Sequence, residues 1–596
     1  MAFVLAAGMI VLGIAQRTVF LEPASTSLSA TIADEARYAV IESSALTAFD
    51  GSQTVTVTGA DTVFLAYGRS SDVKAWLGDS PYADIRQARN APRLSSKIVE
   101  APAAEAADAA SSETAAPVAE TITNPAGSDM WLQEFTAKKT LTTTVHVPEG
   151  ISLIVASDGT APAPTTVTLS WPVDNSTPWA GPLIAGGGIV ALLGLVMYLL
   201  ALLHLRRSHG PRRNLPRGPR MPRLPRVPRP KAIKASEITG SRRSVTRSMV
   251  RVVPVVLVSG LLLSGCSADF WPSAPSAPKA SVTATPGATD LPAAEDVPPP
   301  AVSVPQLERI VSDISRLSTD ADAKLDAEAI ATRFTGPALA ERLANYKVRA
   351  VDPALKAVPA LPAAPLTLKL PQQSSNWPRV VLTVIQDKAA PTVAPLALVL
   401  RQESPRADYL VEYAMQLEPA AKVPDVAPAS IGAPIIAPDS KLLALPPGEV
   451  AAAYADILMQ GEASPSFGLF EAEGDTFRTQ VATLRADRIG KLSKTASLEF
   501  ATAVGKGSTV ALATNDSGSI VAVSLTETET AKILDGGATV QTEGASKALS
   551  GVEKTAKGIQ SVYGDQLLFH VPAAGSKEKI VLLGIAQGLI SSSEIP

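Results

Sequence analysis

Asp320 and Asp322 are the residues whose type and spacing most directly suggest chemistry. Paired carboxylates offer the hard oxygen ligands that divalent cations prefer. The apolar periodicity on either side predicts two helices that meet at this point, where an aspartate also serves as the N-cap of the helix that holds Leu325. We therefore predict a structural role for both aspartates and keep a metal site as the alternative.

The stretch Asp320-Ala321-Asp322 resembles the DxD motif with which many glycosyltransferases hold a metal and a sugar nucleotide. The resemblance implies an enzyme of envelope glycans, with both aspartates as metal ligands. The motif is short, and nucleotide sugars are cytoplasmic, whereas this segment is expected outside the membrane. The sequence thus predicts no catalytic residue, and a glycan enzyme is the second hypothesis.

The nearest approach to a phosphate-binding loop is Gly505-Lys506-Gly507-Ser508. A P-loop needs an earlier glycine where Phe500 stands, and it needs Ser or Thr where Gly507 stands. We predict a hairpin turn between two strands at this place. The four histidines are scattered along the chain, so we predict no cofactor and no metal centre built on histidine.

The single cysteine, Cys266, ends a pattern with a chemical meaning of its own. Basic residues up to Arg251 precede the apolar run Val252 to Leu263, and Leu263-Ser264-Gly265-Cys266 follows. The stretch 252–266 resembles a bacterial lipoprotein signal with its lipobox, which implies a lipid on Cys266 and cleavage before it. The alternative is a transmembrane helix that continues toward Trp271.

Membrane attachment is predicted most directly by Leu183 to Leu203, an apolar run of 21 residues without a charge. As a helix it covers roughly 30 Å, the thickness of the hydrocarbon core. We predict a transmembrane helix over 181–205. Residues 1–17 are also apolar and predict either a transmembrane anchor or a cleaved signal.

The linker 206–251 carries 15 Lys and Arg residues and one acid, so the positive-inside rule places it in the cytoplasm. Within it, proline and arginine each recur every third residue, which is the period of polyproline II. We predict contact with anionic lipids as one role and a stiff topology signal as the other. The arginines concerned are Arg217, Arg220, Arg223, Arg226 and Arg229.

Region 20–180 alternates apolar and polar residues over short runs, which predicts a β-sandwich. The strand candidates are Thr54 to Thr58, Thr62 to Tyr67, Leu141 to Val147, Ile151 to Ala156 and Thr165 to Trp171. Residues 101–120 are rich in Ala and acids and predict a disordered insert.

Residues 267–305 read as a Pro/Ala/Ser/Thr tether, after which helices followed by strands occur twice, over 306–435 and 440–596. The order predicts two α+β modules. It resembles a tandem pair of NTF2-like or cystatin-like units, which implies a helix packed into a curved sheet with an open pocket. The predicted fold class is a multidomain membrane protein with an N-terminal all-β sandwich, transmembrane helices and C-terminal tandem α+β modules.

A net charge of −3 and a pI of about 6.0 argue against a nucleic-acid partner. The composition and plan resemble envelope membrane proteins of high-GC actinobacteria. We predict a plasma-membrane protein with both large regions on the extracytoplasmic side, serving as a non-enzymatic binding or scaffold component of envelope assembly or transport. Its predicted partners are membrane lipids and envelope proteins or glycans.

Overall fold

The structure is a computed structural model. It describes residues 1–208 and 297–596, except 22, 34, 89–91, 101–122, 174, 176, 388–389, 391 and 420. Several predicted features lie outside the described residues. These are the insert 101–120, the arginine and proline stripes, the lipobox with Cys266, and most of the predicted tether.

The described helices and strands divide between two compact units, one of residues 1–27 and 170–289 and one of residues 28–169 and 290–596. The helices are α1 (Ala2–Thr18), α2 (Ser43–Leu46), α3 (Ser70–Leu77), α4 (Ala180–Ser208), α5 (Val304–Lys324), α6 (Ala327–Ala331), α7 (Gly336–Val351), α8 (Pro447–Gln460), α9 (Thr476–Gly490) and α10 (Gly544–Ser550).

The first unit is built on α1 and α4, which pack against each other. A side-chain carbon added to Gly13 would lie 3.0 Å from the backbone oxygen of Ala180, and one added to Gly187 would lie 3.0 Å from that of Ala6. Small residues at both crossings therefore let the two backbones approach closely. Among the described helices, α4 alone is long and apolar enough to cross a membrane by length and composition.

The strands of the N-terminal region form an eight-stranded sheet in the order β1-β8-β3-β7-β2-β4-β5, with β6 paired to β3. Their bounds are β1 Ser25–Thr31, β2 Tyr38–Ile41, β3 Gln53–Arg69, β4 Tyr82–Gln87, β5 Leu94–Val99, β6 Gln133–Val145, β7 Ile151–Ala156 and β8 Thr166–Pro172.

Strand β3 differs from the strands predicted for this region. The predicted strands Thr54 to Thr58 and Thr62 to Tyr67 are one strand of 17 residues, and the predicted turn at Gly59 is a register shift within it. Because β3 pairs with β6, β7 and β8, all eight strands are hydrogen-bonded in one sheet, whereas a sandwich would have two.

The C-terminal region repeats the predicted order of helices followed by strands. Helices α5, α6 and α7 precede β9–β12, and α8 and α9 precede β13–β19. The strands are β9 Leu366–Pro371, β10 Arg379–Ile385, β11 Leu396–Gln402, β12 Leu410–Leu417, β13 Ala496–Val504, β14 Val510–Ala513, β15 Ser519–Ile533, β16 Val540–Gln541, β17 Lys554–Thr555, β18 Gly558–Val571 and β19 Val581–Glu594.

The two predicted modules share one nine-stranded sheet, in the order β13-β15-β18-β19-β12-β11-β10-β9 with β14 paired to β15. Strand β10 is buried along its whole length because both of its faces are covered. Val381 and Ile385 pack in the core under α5 to α7, whereas Val380, Leu382 and Val384 pack in the core on the other face. Helices α8 and α9 cover the sheet of the second module through Tyr454, Phe477 and their neighbours.

Helix α5 begins and ends at sequence signals that are visible in the chain. Ser303 and Gln306 form a capping box, and Leu325 ends the helix with a left-handed backbone. The predicted stripe that begins at Leu307 faces the core, which confirms this helix.

Candidate functional site

One cavity of the C-terminal region lies where the two predicted modules meet. Strands β12 and β19 join their halves of the sheet through only two residue pairs, Gln416 with Ile585 and Leu417 with Gly584. Beside this short junction, a cavity of about 560 Å³ opens between α7, α9, α10 and the sheet. We call it the seam pocket, and its volume lies within the range of small-molecule sites.

The wall of the seam pocket mixes apolar side chains with amides and one acid. Its apolar lining includes Val348, Leu355, Leu396, Phe477, Ile585 and Leu589. Its polar lining includes Glu341, Arg342, Asn345, Gln416, Gln480 and Gln587. An apolar body with a few placed polar groups is the usual composition of a ligand site.

Glu341 is the acidic side chain of this wall, and a hydrogen bond from Gln566 sets its orientation. The amide oxygen of Gln566 accepts from the backbone N–H of Ala414 at 2.9 Å, so its amide nitrogen must face Glu341, to which it donates at 2.7 Å. Burial raises the pKa of Glu341, although Arg342 and the Gln566 hydrogen bond act in the opposite direction. The pocket therefore holds a carboxyl group whose pKa lies above that of an ordinary glutamate.

A second acidic group lies next to the seam pocket. The amide nitrogen of Gln587 donates to Glu527 at 2.9 Å and to Asp565 at 3.0 Å, and Arg485 pairs with Glu527 at 2.5 Å. Burial raises the pKa of Asp565 well above its ordinary value, and the nearby Glu527 adds to the effect. The two carboxyl groups therefore favour a state in which Asp565 keeps its proton.

The two aspartates of the DxD-like motif do not converge. Both lie within α5, so the prediction that they join two helices is wrong, and the N-cap of the next helix is Asp326. Residues two apart on a helix point about 200° away from each other. Asp320 is exposed, whereas Asp322 is bound by Arg342 and accepts from the Tyr346 hydroxyl at 2.5 Å.

These contacts explain why Asp322 belongs to the scaffold of α5 and α7. Burial, together with the Asp322 carboxylate, raises the pKa of Tyr346, so this tyrosine stays protonated and donates its hydrogen bond. Within the described residues, no group of three His, Cys, Asp or Glu side chains is placed to hold a metal ion.

The loop Gly505 to Ser508 is not the predicted hairpin turn. It connects β13 to β14, which both pair with β15, as in Val504 with Leu525 and Val510 with Ala522. Glu412 accepts from the backbone N–H of Ser508 at 2.9 Å, and the Tyr413 hydroxyl donates to the carbonyl of Ser508 at 2.5 Å. The loop is therefore hydrogen-bonded to β12. The backbone N–H of Ser508 is already engaged and is not free to bind a phosphate.

A second candidate site is the contact between residues 28–169 and residues 297–596, which belong to the same compact unit. Arg379 donates to both oxygens of Asp72 at 2.7 and 3.3 Å and stacks on the Trp377 ring at 3.8 Å. Arg333 pairs with Asp129 at 2.5 Å. Asp72, Asp129 and Arg379 are buried. Asp129 is neutralised by Arg333 from across the contact, whereas Asp72 is shared between Arg379 and Arg69 of its own region, whose Nε lies 3.4 Å away.

Arg406 completes this contact through the end of a helix. It donates to the carbonyls of Trp76 and Leu77 at 2.7 Å and to the Ser80 hydroxyl at 2.8 Å. These carbonyls belong to the last turn of α3, which lacks amide donors four residues later within the helix; the Leu77 carbonyl also accepts from the backbone N–H of Ser80 at 3.0 Å. We call the pairs of Arg379, Arg333 and Arg406 with residues 72–80 and 129 the arginine interface.

Residues at the start of the C-terminal region also bind the N-terminal region. Gln306 donates to the carbonyl of Asp129 and Arg309 to that of Trp131, both at 2.6 Å. In return, Arg69 donates to the carbonyl of Pro300 at 2.6 Å. The predicted tether thus ends before residue 305, because Pro300 is already part of this contact. Trp131 is fully buried.

Sequence reasoning found none of the residues that these two sites use. Glu341 and Gln587 carry no motif, and the partners of the arginine interface are separated by up to 330 residues. The one available signal was an isolated charge beside an apolar run, as in Trp377-Pro378-Arg379. Of the predicted sites, the lipobox and the arginine stripe lie outside the described residues.

The C-terminal region is thus an α+β domain with one continuous sheet and a pocket at its seam. Residues 298–594 match a family described as a domain of unknown function, DUF8094. The match covers both predicted modules as one block, in agreement with the shared sheet. No curated protein and no solved structure matches the chain.

Proposed function

We propose that this chain is a membrane-anchored, extracytoplasmic protein of the cell envelope that acts as a non-enzymatic binding or scaffold component of envelope assembly or transport. The observation that carries the proposal is the buried pairing of Arg379 with Asp72. It supports a single outer body made from residues on both sides of the hydrophobic helix α4.

The compartment of each region follows from the number of times the chain crosses the membrane. Two regions can share buried ion pairs only if they lie in the same compartment. If α4 crosses the membrane, the residues before Ala180 and those after Ser208 start on opposite sides, so the chain must cross again before residue 297. The apolar segment 252–263 is the stretch in that interval suited to do so, either as a lipoprotein signal or as a helix. The basic linker 206–251 then lies in the cytoplasm.

The proposal includes α1 as a retained anchor. Its close packing on α4 through Gly13 and Gly187 is the geometry of paired transmembrane helices, which a signal removed at Ala15 would lose. The seam pocket is the proposed binding site, in an NTF2-like arrangement where helix α7 lies against a shared sheet.

Labelling with a membrane-impermeant maleimide on intact cells tests the topology. Cysteines introduced at the exposed positions Ser96 and Lys577 should both react, whereas one at Lys231 should react only after the membrane is opened. The parent chain, with Cys266 alone, is the background control. Labelling of only one outer position would contradict the shared compartment.

A glycan enzyme is the second candidate, and the observation in its favour is Glu341, a carboxyl group with a raised pKa in the seam pocket. The DxD-like pair gives a separate test. Asp320→Asn, which leaves the contacts of Asp322 with Arg342 and Tyr346 intact, should abolish a metal-dependent transfer activity if the pair holds a metal, whereas a scaffold should keep its partners. Loss of envelope glycan synthesis in Glu341→Gln alone would favour an enzyme acting through the pocket.

A further inference from the structure

The arginine interface has the composition of an interface between two separate proteins. Arginine and tryptophan are the residues that most often dominate binding energy at such interfaces, and here Arg379 is stacked on Trp377 and bound to Asp72. Trp377 itself packs against the apolar core of the N-terminal region, beside Trp76 and Trp131. The contact therefore combines an apolar centre with buried ion pairs and hydrogen bonds.

The polar contacts are reciprocal, because each region supplies both donors and acceptors to the other. Asp129 has no exposed surface, and it accepts from both Arg333 and the backbone N–H of Tyr409, the latter at 2.8 Å. Arg406 donates to the carbonyl of Leu77 at the end of α3, and Arg69 donates to the carbonyl of Pro300. Asp129 thus has its arginine partner in the other region, and Asp72 is bound by Arg379 of the other region in addition to Arg69 of its own.

None of these contacts depends on the stretch of chain that links the two regions. The described residues end at 208 and resume at 297, and the contacts involve only residues before and after that interval. The predicted lipobox lies within it, so cleavage before Cys266 would divide the chain between the two sides of the interface.

We infer that residues 28–169 and residues 297–596 bind each other as a two-part complex that persists when the chain between them is cut. The partner of each surface is therefore the other part of this same chain. In the cell, this would join a transmembrane piece to a lipid-anchored piece, a consequence that rests on the proposed function, whereas the binding itself does not.

The test uses the full chain, purified in detergent, with a sequence-specific protease site inserted within residues 274–290. After cutting, gel electrophoresis under denaturing conditions should show two pieces, and gel filtration should show that they elute together at the volume of the uncut chain. Elution of the pieces as separate species would overturn the inference. The gel-filtration result is obtained in detergent whether or not the maleimide topology test succeeds, so failure of one proposal can be told apart from failure of the other.

A matched pair of variants tests whether the arginine interface is responsible. Asp72→Asn with Asp129→Asn keeps the size of both side chains but removes their charges, and the cut pieces should separate at least tenfold more readily on dilution. Asp313→Asn removes a surface carboxylate that pairs with the exposed Arg316, and it should behave as the parent chain. If the double variant held together as tightly as the parent, the assignment to these pairs would be wrong; if it failed to fold, the cut parent chain would still decide the inference.

Discussion

The carboxylate of Asp129 is fully buried against the guanidinium of Arg333, a residue 204 positions further along the chain. Removing one member of such a pair leaves the other charge buried without compensation. We predict that Asp129→Ala lowers the free energy of unfolding by about 3–5 kcal/mol. Thermal or denaturant unfolding of the purified chain measures this.

The control for Asp129 is Asp313, whose pair with Arg316 is exposed. Asp313→Ala should change the free energy of unfolding by less than about 0.5 kcal/mol, because surface pairs contribute little. Equal effects of the two substitutions would mean that the Asp129 pair is not buried in solution.

Asp565 gives a prediction about pH. Its pKa is raised in the folded protein, so the folded state prefers the protonated acid and loses stability as pH rises above the unfolded value of about 3.9. Asp565→Asn mimics the protonated form and should raise the free energy of unfolding at pH 7.5 by about 1.4 kcal/mol for each pKa unit of the shift. The gain should disappear near pH 4.

A useful comparison for Asp565 is Asp487, an exposed residue that pairs with Lys491 four positions later. Asp487→Asn should leave the pH dependence of unfolding almost unchanged. A gain for Asp565→Asn that was equal at pH 4 and pH 7.5 would contradict the raised pKa.

Gly507 is predicted to tolerate no side chain. A carbon added there would lie 2.6 Å from Pro337, and the Tyr413 hydroxyl is closer still. Because the loop is fastened to β12, we expect Gly507→Ala to cost about 1–3 kcal/mol of unfolding free energy through overpacking. Gly536→Ala, at a position with open space around it, should be close to neutral. Similar midpoints of denaturant unfolding for the two variants would argue against the close approach.

The packing of α1 on α4 can be tested with two glycines of the same helix. Gly187→Leu would force the helices apart, because even one added carbon would lie 3.0 Å from the backbone oxygen of Ala6. Gly188 has nothing within 4 Å, so Gly188→Leu is the control. Disulfide formation between cysteines placed at Ala2 and Gly194, where a side-chain carbon added to Gly194 would lie 3.4 Å from that of Ala2, should be lost in the first variant and kept in the second. Equal crosslinking would contradict the packing.

Features with strong local signals could be predicted from the sequence. Ile151 to Ala156 is the predicted strand, and the helix that contains Leu307 follows its apolar stripe and its capping box. Asp516-Ser517-Gly518 forms the predicted hairpin turn between β14 and β15, with Ser517 at positive φ. In each case the deciding interactions lie within a few residues of one another.

The parts that could not be predicted depend on pairing between distant residues. Residues Thr54 to Tyr67 look like two strands because Gly59 interrupts the alternation, and only the partner strand β6 reveals a bulge. The junction of β12 with β19 joins Gln416 to Ile585 without any local mark. The seam pocket follows from that junction, so Glu341 could not be recognised before the sheet was known.

The distribution of charges between the two sides of the arginine interface affects the amounts in which the cell must make the two parts. Asp72 and Asp129 lie in one part, whereas Arg379 and Arg333, which bind them, lie in the other; Asp72 also pairs with Arg69 of its own part. An excess of either part would carry unmatched charges and an uncovered tryptophan surface, which invites aggregation and degradation. Synthesis as one polypeptide supplies the two parts in equal numbers, so neither is left without its counterpart.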